Sequence, residues 1–444
     1  MRRPDAFVGA AIGLGLTLAA CMPARVPPRT AYVTPPTATS MSPTVQAPTS
    51  TSVTNPTGGP VTVTYWEQDS DDADVVLDQL AADFMKANPG IRIERSHYGS
   101  EEMGDQFQRA SAANRGPVLV RAPNELSGRL SELKIIRPIG DLYGEAFLDG
   151  FLQGSLDGVT TKDGVWGVPD NNYYFLMLLY NKQLVKDPIP TDTDAWIAQL
   201  KALTDTAKGT YGLVYNLNEP FWLVPWLGGF GGWPLDDQDA PALDTLAMVR
   251  ALQFAHDLKF VHKVVPPDLN YGSADAMFKE GKAAYIINGD WSLSSYRDAK
   301  IDLGIAVLPR ISKTSRFPSP MTSGKYWMFS SKTGSQAEID AAKKFVAFMT
   351  SAPAQARWLE MGRLPSNSEV IGSEQVKKDP ILQASVAQLV TGRGIPPAPE
   401  LRCAWEAMRP GLESVMADTA KPEDAANLMQ ANAEKCVAEM GDRR

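Results

Sequence analysis

Val61-Thr62-Val63-Thr64-Tyr65-Trp66 and Ile91-Arg92-Ile93-Glu94 bracket the stretch of this chain on which its fold turns. Both runs alternate apolar with polar residues, the period of a half-buried strand. Between them, an acidic segment over residues 67–74 opens a helical pattern with Val76, Leu77, Leu80, Phe84 and Met85 on one face, and Asn88-Pro89-Gly90 stops it. Strand, helix, strand is a βαβ unit. The acids suit a helix N-terminus, where the macrodipole stabilises negative charge. They lack the glycine and terminal glutamate of a calcium-binding EF loop, so no metal is expected there. Further strands are expected at residues 118–120 and 176–180, and helices around 196–203, 245–260 and 341–349. Strands alternating with helices argue for open α/β sheets, whose ligands sit outside the strand C-termini.

The segment Ala283-Ala284-Tyr285-Ile286-Ile287-Asn288-Gly289-Asp290-Trp291 follows an amphipathic run that ends in Phe278-Lys279-Glu280-Gly281-Lys282. It reads as a helix closed by glycine, a buried strand, and a polar turn that presents one tryptophan at the strand end. The C–H face of a sugar ring packs on an indole while its hydroxyls take hydrogen bonds at the edge. A core tryptophan after a core strand is the plainer reading of the same residues. Trp222, Trp226 and Trp233, around a glycine-rich loop, offer a second aromatic patch or, on the plainer reading, pack a loop between helices.

With 444 residues, 44% of them hydrophobic, the chain is long enough for two or more domains with substantial cores. A formal net charge of -8 gives no electrostatic footprint for nucleic acid, which is not expected as a partner. The only histidines, His97, His256 and His262, have no ligand spacing, and neither a metal nor a cofactor is expected.

Residues 1–20 combine Arg2-Arg3, a short apolar run and the small-residue site Leu18-Ala19-Ala20 before Cys21, the layout of an export signal. The cysteine in that position resembles the lipobox of bacterial lipoproteins. Cys21 is then the acylated mature N-terminus, and two or more acyl chains hold it in a membrane. Residues 21–60 are rich in Pro, Thr and Ser with almost no charge, a disordered tether. Cys403 and Cys436 lie in two helical patterns, with Leu401, Trp405, Met408, Leu412 and Val415 on one face and Ala425, Leu428, Ala431 and Val437 on the other. In an oxidising compartment this pair is expected to bridge, with two free thiols as the other possibility.

Several segments, read in order, resemble a known family. These are residues 62–66, Phe84-Met85-Lys86-Ala87-Asn88-Pro89-Gly90-Ile91, Trp166-Gly167-Val168-Pro169, Leu179-Tyr180-Asn181-Lys182 and residues 278–291. The family is the extracellular solute-binding proteins of bacterial ABC importers. The chain is most similar to the maltose/maltodextrin-binding branch. Tyr215-Asn216-Leu217-Asn218-Glu219-Pro220-Phe221 resembles that branch's Asn-Leu-Gln-Glu-Pro-Tyr segment, where the acid hydrogen-bonds sugar hydroxyls and the aromatic stacks. Trp405-Glu406-Ala407-Met408-Arg409 resembles its C-terminal Trp-Tyr-Ala-Val-Arg helix, and Trp291 matches a third stacking residue. The branch usually carries Trp, Asp and Arg where this chain has Arg121, Asn124 and Glu125, and its glutamate position falls on Tyr173 or Tyr174.

The resemblance implies a two-lobe periplasmic-binding fold of type II, each lobe an open sheet flanked by helices, with the ligand in the interlobe cleft. Lobe one is expected over residues 61–170 and 324–372, lobe two over 171–323 and 373–444, with crossings near Pro169-Asp170-Asn171 and Met321-Thr322-Ser323. Trp291, Trp405 and Phe221 then stack on the sugar, with Glu219 and Arg409 as polar partners. Glu67, Asp69, Arg121 and Asn124 close from lobe one, with Tyr173 or Tyr174. Asn124 offers a donor and an acceptor, and Arg121 forks onto adjacent hydroxyls.

The implied role is a monomeric, lipid-anchored binding component at the outer face of the cell membrane, handing an oligosaccharide to a permease. No nucleophile elbow, zinc-helix pair or phosphate loop is present. Two facing carboxylates suffice for a secreted glycan hydrolase, which is the enzyme alternative. A binding protein for a different sugar and a passive adhesin on a stalk are the others.

Overall fold

In the strand Val61–Glu67, residues Val61, Val63, Tyr65 and Glu67 are buried and the residues between them half-buried, as alternation demands. This computed structural model describes residues 59–69, 71–99 and 102–441. The export signal, Cys21 and the tether up to residue 58 lie outside the described residues. The helix Asp71–Ala87 turns Val76, Leu77, Leu80 and Phe84 onto the sheet, and the chain returns in Ile91–His97, parallel to the first strand over seven residue pairs.

That pair belongs to an eight-stranded sheet whose main order is Leu364–Pro365, Val168–Tyr173, Met321–Ser330, Leu119–Pro123, Val61–Glu67, Ile91–His97. The long strand Met321–Ser330 runs antiparallel to Val168–Tyr173 and Leu119–Pro123, pairs in parallel with the short Arg393–Gly394, and is buried at every residue. A second sheet of four strands has the order Leu303–Ala306, Leu176–Asn181, Ala283–Gly289, Tyr211–Val214. Each sheet has its own apolar core, Tyr65, Phe84, Trp327 and Phe345 in the first and Met177, Trp196, Trp226 and Tyr285 in the second. The result is an α/β fold of two lobes, and the chain leaves the first sheet after Tyr173 and enters the second at Leu176.

Local outcomes follow packing. Trp226 is fully buried, and Trp222, though nearly buried, also reaches the cleft described below. The acids at 67–74 do more than cap a helix. Glu67 is fully buried at its strand end, accepting from the Asp69 N–H at 2.6 Å and from Arg95 Nη1 at 2.9 Å. The last helix, Pro422–Gly441, buries Ala425, Ala426, Met429 and Ala433, leaving Leu428 57% exposed. Its small side chains face Glu400–Met416, a stripe rotated from the expected one, and Cys403 and Cys436 join the two helices with their Cα atoms 5.5 Å apart.

The first lobe is tied by a buried ion cluster. Arg121, fully buried, donates through Nε to Asp170 Oδ2 at 2.6 Å and through Nη1 to Asp69, while its guanidinium lies 5.2 Å from the Trp358 ring. Gln355 Nε2 donates to the other Asp170 oxygen at 2.7 Å. A buried charge that loses its partner is strongly destabilising. Arg121→Leu is expected to cost about 3–5 kcal/mol in urea unfolding, because it strands two carboxylates. Arg129→Leu breaks an exposed pair with Asp105 and is expected to cost under about 1 kcal/mol. Equal losses would count against the buried cluster as the tie.

Candidate functional site

The segment Tyr174-Phe175 carries the chain from one sheet to the other, and Tyr174 adopts φ of 61°, a left-handed conformation unusual for a bulky residue. Asp290 holds it there: its Oδ1 accepts from the Tyr174 N–H at 2.9 Å and the Phe175 N–H at 3.3 Å. The turn Asp290–Ser292 follows the strand Ala283–Gly289, and the Trp291 indole folds back over Gly289, where a side chain on Gly289 would strike the ring. The polar turn of the sequence thus positions two aromatics at once.

Four side chains expected at the site converge. Tyr174 and Trp291 have ring centroids 4.8 Å apart, Tyr174 and Phe221 5.2 Å, and Phe221 and Trp405 6.3 Å. Phe221 opens the helix Pro220–Gly229, which starts on a proline after Glu219. Glu219 caps nothing with its side chain; its Oε1 accepts from Trp405 Nε1 at 3.0 Å and its Oε2 from Arg409 Nη1 at 2.5 Å. The bonds fix the Trp405 indole against the cleft. The groove bounded by Tyr174, Phe221, Trp222 and Trp405 has a volume of about 520 Å³, within the range of small-molecule sites.

The lobe-one residues stand differently. Arg121 is enclosed by Asp69, Asp170 and two tryptophans, so its guanidinium does not reach the groove. Asn124, fully buried, donates to the Ile395 carbonyl at 2.8 Å and the Gly158 carbonyl at 3.1 Å and accepts from Ser323 Oγ at 2.7 Å. Glu67 is bound to Arg95 and His97. As the side chains stand, Asn124 and Glu67 are bonded within the protein and Arg121 is enclosed with its Nε and Nη1 engaged, so none of the three expected sugar contacts lines the groove. Tyr173 is half-buried on the first sheet, and of the two tyrosines it is Tyr174 that joins the aromatic group. The ligand atoms of Glu67, Asp74 and His97 lie within 4.8 Å of one another, but Arg95 Nη1 sits on Glu67 at 2.9 Å and on Asp74 at 2.5 Å and supplies the positive charge there.

Sequence reasoning gave no role to three features of the wall, Glu125, Met321 and a proline run. Trp222, for which it left packing and a second aromatic patch open, does both: its Nε1 donates to the Ile287 carbonyl at 2.8 Å while its ring lines the groove. Glu125, at the groove mouth, accepts from Ser323 Oγ at 3.3 Å. Met321 contributes to the floor. The run Ile395-Pro396-Pro397-Ala398-Pro399 forms one side, packed so closely on the helix Glu125–Glu132 that a Cβ at Gly128 would overlap the Pro397 carbonyl. A proline run of this kind is a legible signal for a stiff wall.

Burial pushes the Asp290 carboxyl up to about 6, with the N–H groups of Phe175 and Tyr174 pulling the other way. The folded state then binds its proton more tightly than the unfolded chain does. This contribution to stability is full below about pH 4 and is lost as pH rises through about 6, on the order of 3 kcal/mol in all. Asp290→Asn is expected to flatten that part of the stability profile in urea unfolding at a series of pH values. An unchanged slope would remove Asp290 as its source.

Known proteins share this architecture. The family model of bacterial extracellular solute-binding proteins matches residues 79–384. The maltose/maltodextrin-binding domain MalE from Bdellovibrio bacteriovorus, solved with maltotriose, is 33% identical with a TM-score of 0.65, covering 85% of this chain and 100% of its own. A cyclo/maltodextrin-binding protein complexed with maltotetraose superposes with a TM-score of 0.78 at 22% identity, over 86% of this chain and 98% of its own, a likeness of fold. The maltotriose-binding protein of Pyrococcus abyssi is 26% identical over 351 residues, covering 77% of this chain and 75% of the relative. With its two sheets, its crossing at Tyr174 and a match over most of its folded body, the chain belongs to the bacterial extracellular solute-binding protein family.

Proposed function

We propose that this protein captures a maltodextrin between its lobes and delivers it to the membrane subunits of an ABC importer, without chemical turnover. The observation that carries the reading is the cradle of Tyr174, Phe221, Trp291 and Trp405, with Glu219 bracing Trp405. Aromatic faces with few charges suit a neutral polyhydroxylated ring. The names of the relatives, which include maltotriose and maltodextrin binders, support the α-glucan. Binding rather than hydrolysis is supported by Glu219, whose two oxygens are both engaged by neighbours, so it offers no free acid or base.

Two lobes, one built on each sheet and joined at the Tyr174-Phe175 crossing, close on the sugar, shifting an open ensemble to the form that a permease recognises. The protein acts as a monomer, tethered by lipid on Cys21 at the outer face of the membrane. A relative named as a maltooligosaccharide ABC transporter solute-binding lipoprotein, from Streptococcus pneumoniae, supports that placement. No helix among the described residues is long and apolar enough to cross a membrane.

Thermal-shift titration with maltose, maltotriose, trehalose, cellobiose and xylobiose tests the reading, each hit being checked for hydrolysis. Ligand at a hundredfold its dissociation constant stabilises by about 2.7 kcal/mol. The expected outcome is a shift with the α-glucans and no cleavage, and Trp405→Ala is expected to weaken binding by at least about 30-fold. A shift with another sugar alone moves the substrate, and cleavage overturns the reading.

A further inference from the structure

The crossing between the lobes is clamped from the second lobe. Asp290 follows the strand Ala283–Gly289, and its Oδ1 accepts from the N–H groups of Tyr174 and Phe175 at 2.9 and 3.3 Å. Tyr174 is thereby fixed to the lobe whose core holds Phe221, Trp291 and Trp405. All four rings of the cradle then move together when the lobes swing, instead of meeting only on closure, and a site assembled beforehand spends less of its interaction on ordering.

The clamp works against a conformational cost. A φ of 61° is unfavourable for a residue as bulky as tyrosine and persists only where its surroundings impose it. A hydrogen bond to an ionised acceptor is roughly twice as strong as one to a neutral acceptor, so the charge on Asp290 matters to how firmly Tyr174 is held. Asp290 is itself half-buried. Burial pushes its carboxyl up to about 6, and the groups that pull it back are main-chain N–H groups, those of Phe175 and Tyr174 first. The groups that stabilise the charge are therefore the groups the charge positions.

Resting on the sugar-binding reading above, we propose that Asp290 is a positioning residue with a pH-dependent hold on the ligand: ionised, it keeps Tyr174 in the cradle, and on taking up a proton it loosens that wall.

Other charges face Asp290 from the elements around it. Arg297 of the following helix lines the spaces on both of its sides, with Glu360 and Asp379 on one and Asp69, Lys325 and Arg363 on the other. Lys325 is pushed down to about 8 by burial, which leaves it above the window. Asp69, despite its burial, is held below the usual carboxylate range by Arg121. A ligand that packs on the clamped Tyr174 prefers the ionised form, so affinity is full above about pH 7 and declines as pH falls through about 6. The contribution of Asp290 to stability has the opposite sign and grows over the same interval. A purely structural acid would move affinity and stability together.

Tryptophan-fluorescence titration of the full chain with maltotriose between pH 7.5 and 5, with a thermal melt at each pH, provides the test. The wild type is expected to lose about 5- to 10-fold in affinity on acidification, as exchange of a charged for a neutral acceptor does. Asp290→Asn keeps an acceptor oxygen without the charge and is expected to bind at the acid level throughout, while relative to it the wild type gains stability toward acid. His97, His256 and His262 stand on other elements, and a slope that survives in folded Asp290→Asn belongs to them. That outcome, or a wild-type affinity that rises with stability toward acid, overturns the proposal and leaves the sugar reading standing. Hydrogen exchange over residues 173–177 of the wild type, corrected for the intrinsic effect of pH, decides if Asp290→Asn does not fold: faster exchange at pH 5 is expected, and unchanged protection overturns the proposal. If the wild type binds no maltotriose at any pH, both fall.

Discussion

A single guanidinium organises the first lobe. Arg121, on the strand next to Val61–Glu67, bonds Asp69 after that strand and Asp170 on the strand that leads to the crossing. Gln355 and Ser366 complete the arrangement around Asp170, so five separate stretches of chain meet at one charge. A buried cation must be surrounded by acceptors. That requirement sets how the strand ends line up, and the strand ends are where the cleft opens.

In the second lobe two acids bond backbone N–H groups and an indole as well as a charge. Asp290 fixes the backbone of Tyr174, and Glu219 fixes Trp405 and Arg409. Asp290 acts from behind the groove and Glu219 from its wall, each orienting a ring whose face does the stacking. The disulfide between Cys403 and Cys436 ties the last helix to the one that carries Trp405. A rigid indole loses little conformational freedom when a ligand packs on it, which favours binding.

Motif and site did not become legible together. The quoted segments around Glu219, Trp291 and Trp405 led to the aromatic cradle because each lies within a few residues of an element end, where periodicity and turn residues locate it. Arg121, Asn124 and Glu67 were polar residues at strand ends as well, yet the fold turns them inward. Sequence position alone cannot distinguish a polar side chain facing a groove from one facing a buried counter-charge. The same holds for the last helix, whose buried stripe is Ala425, Ala426, Met429 and Ala433 while Leu428 faces out, because the stripe is set by the facing helix, where Gly411 leaves room for Met429.

The sequence by itself determined the βαβ opening, the alternation of strands and helices, the family resemblance and the aromatic character of the site, all of which depend on local pattern. Only the tertiary structure decided which acid braces Trp405, a partner 186 residues away, which holds Tyr174, 116 away, and that Arg121 serves Asp170, 49 away. It also decided that Lys325, at the centre of Met321–Ser330, is buried. The physical reason is that backbone hydrogen bonding and hydrophobic period act over a few residues, whereas a buried polar group finds its acceptor wherever the folded chain brings one within reach.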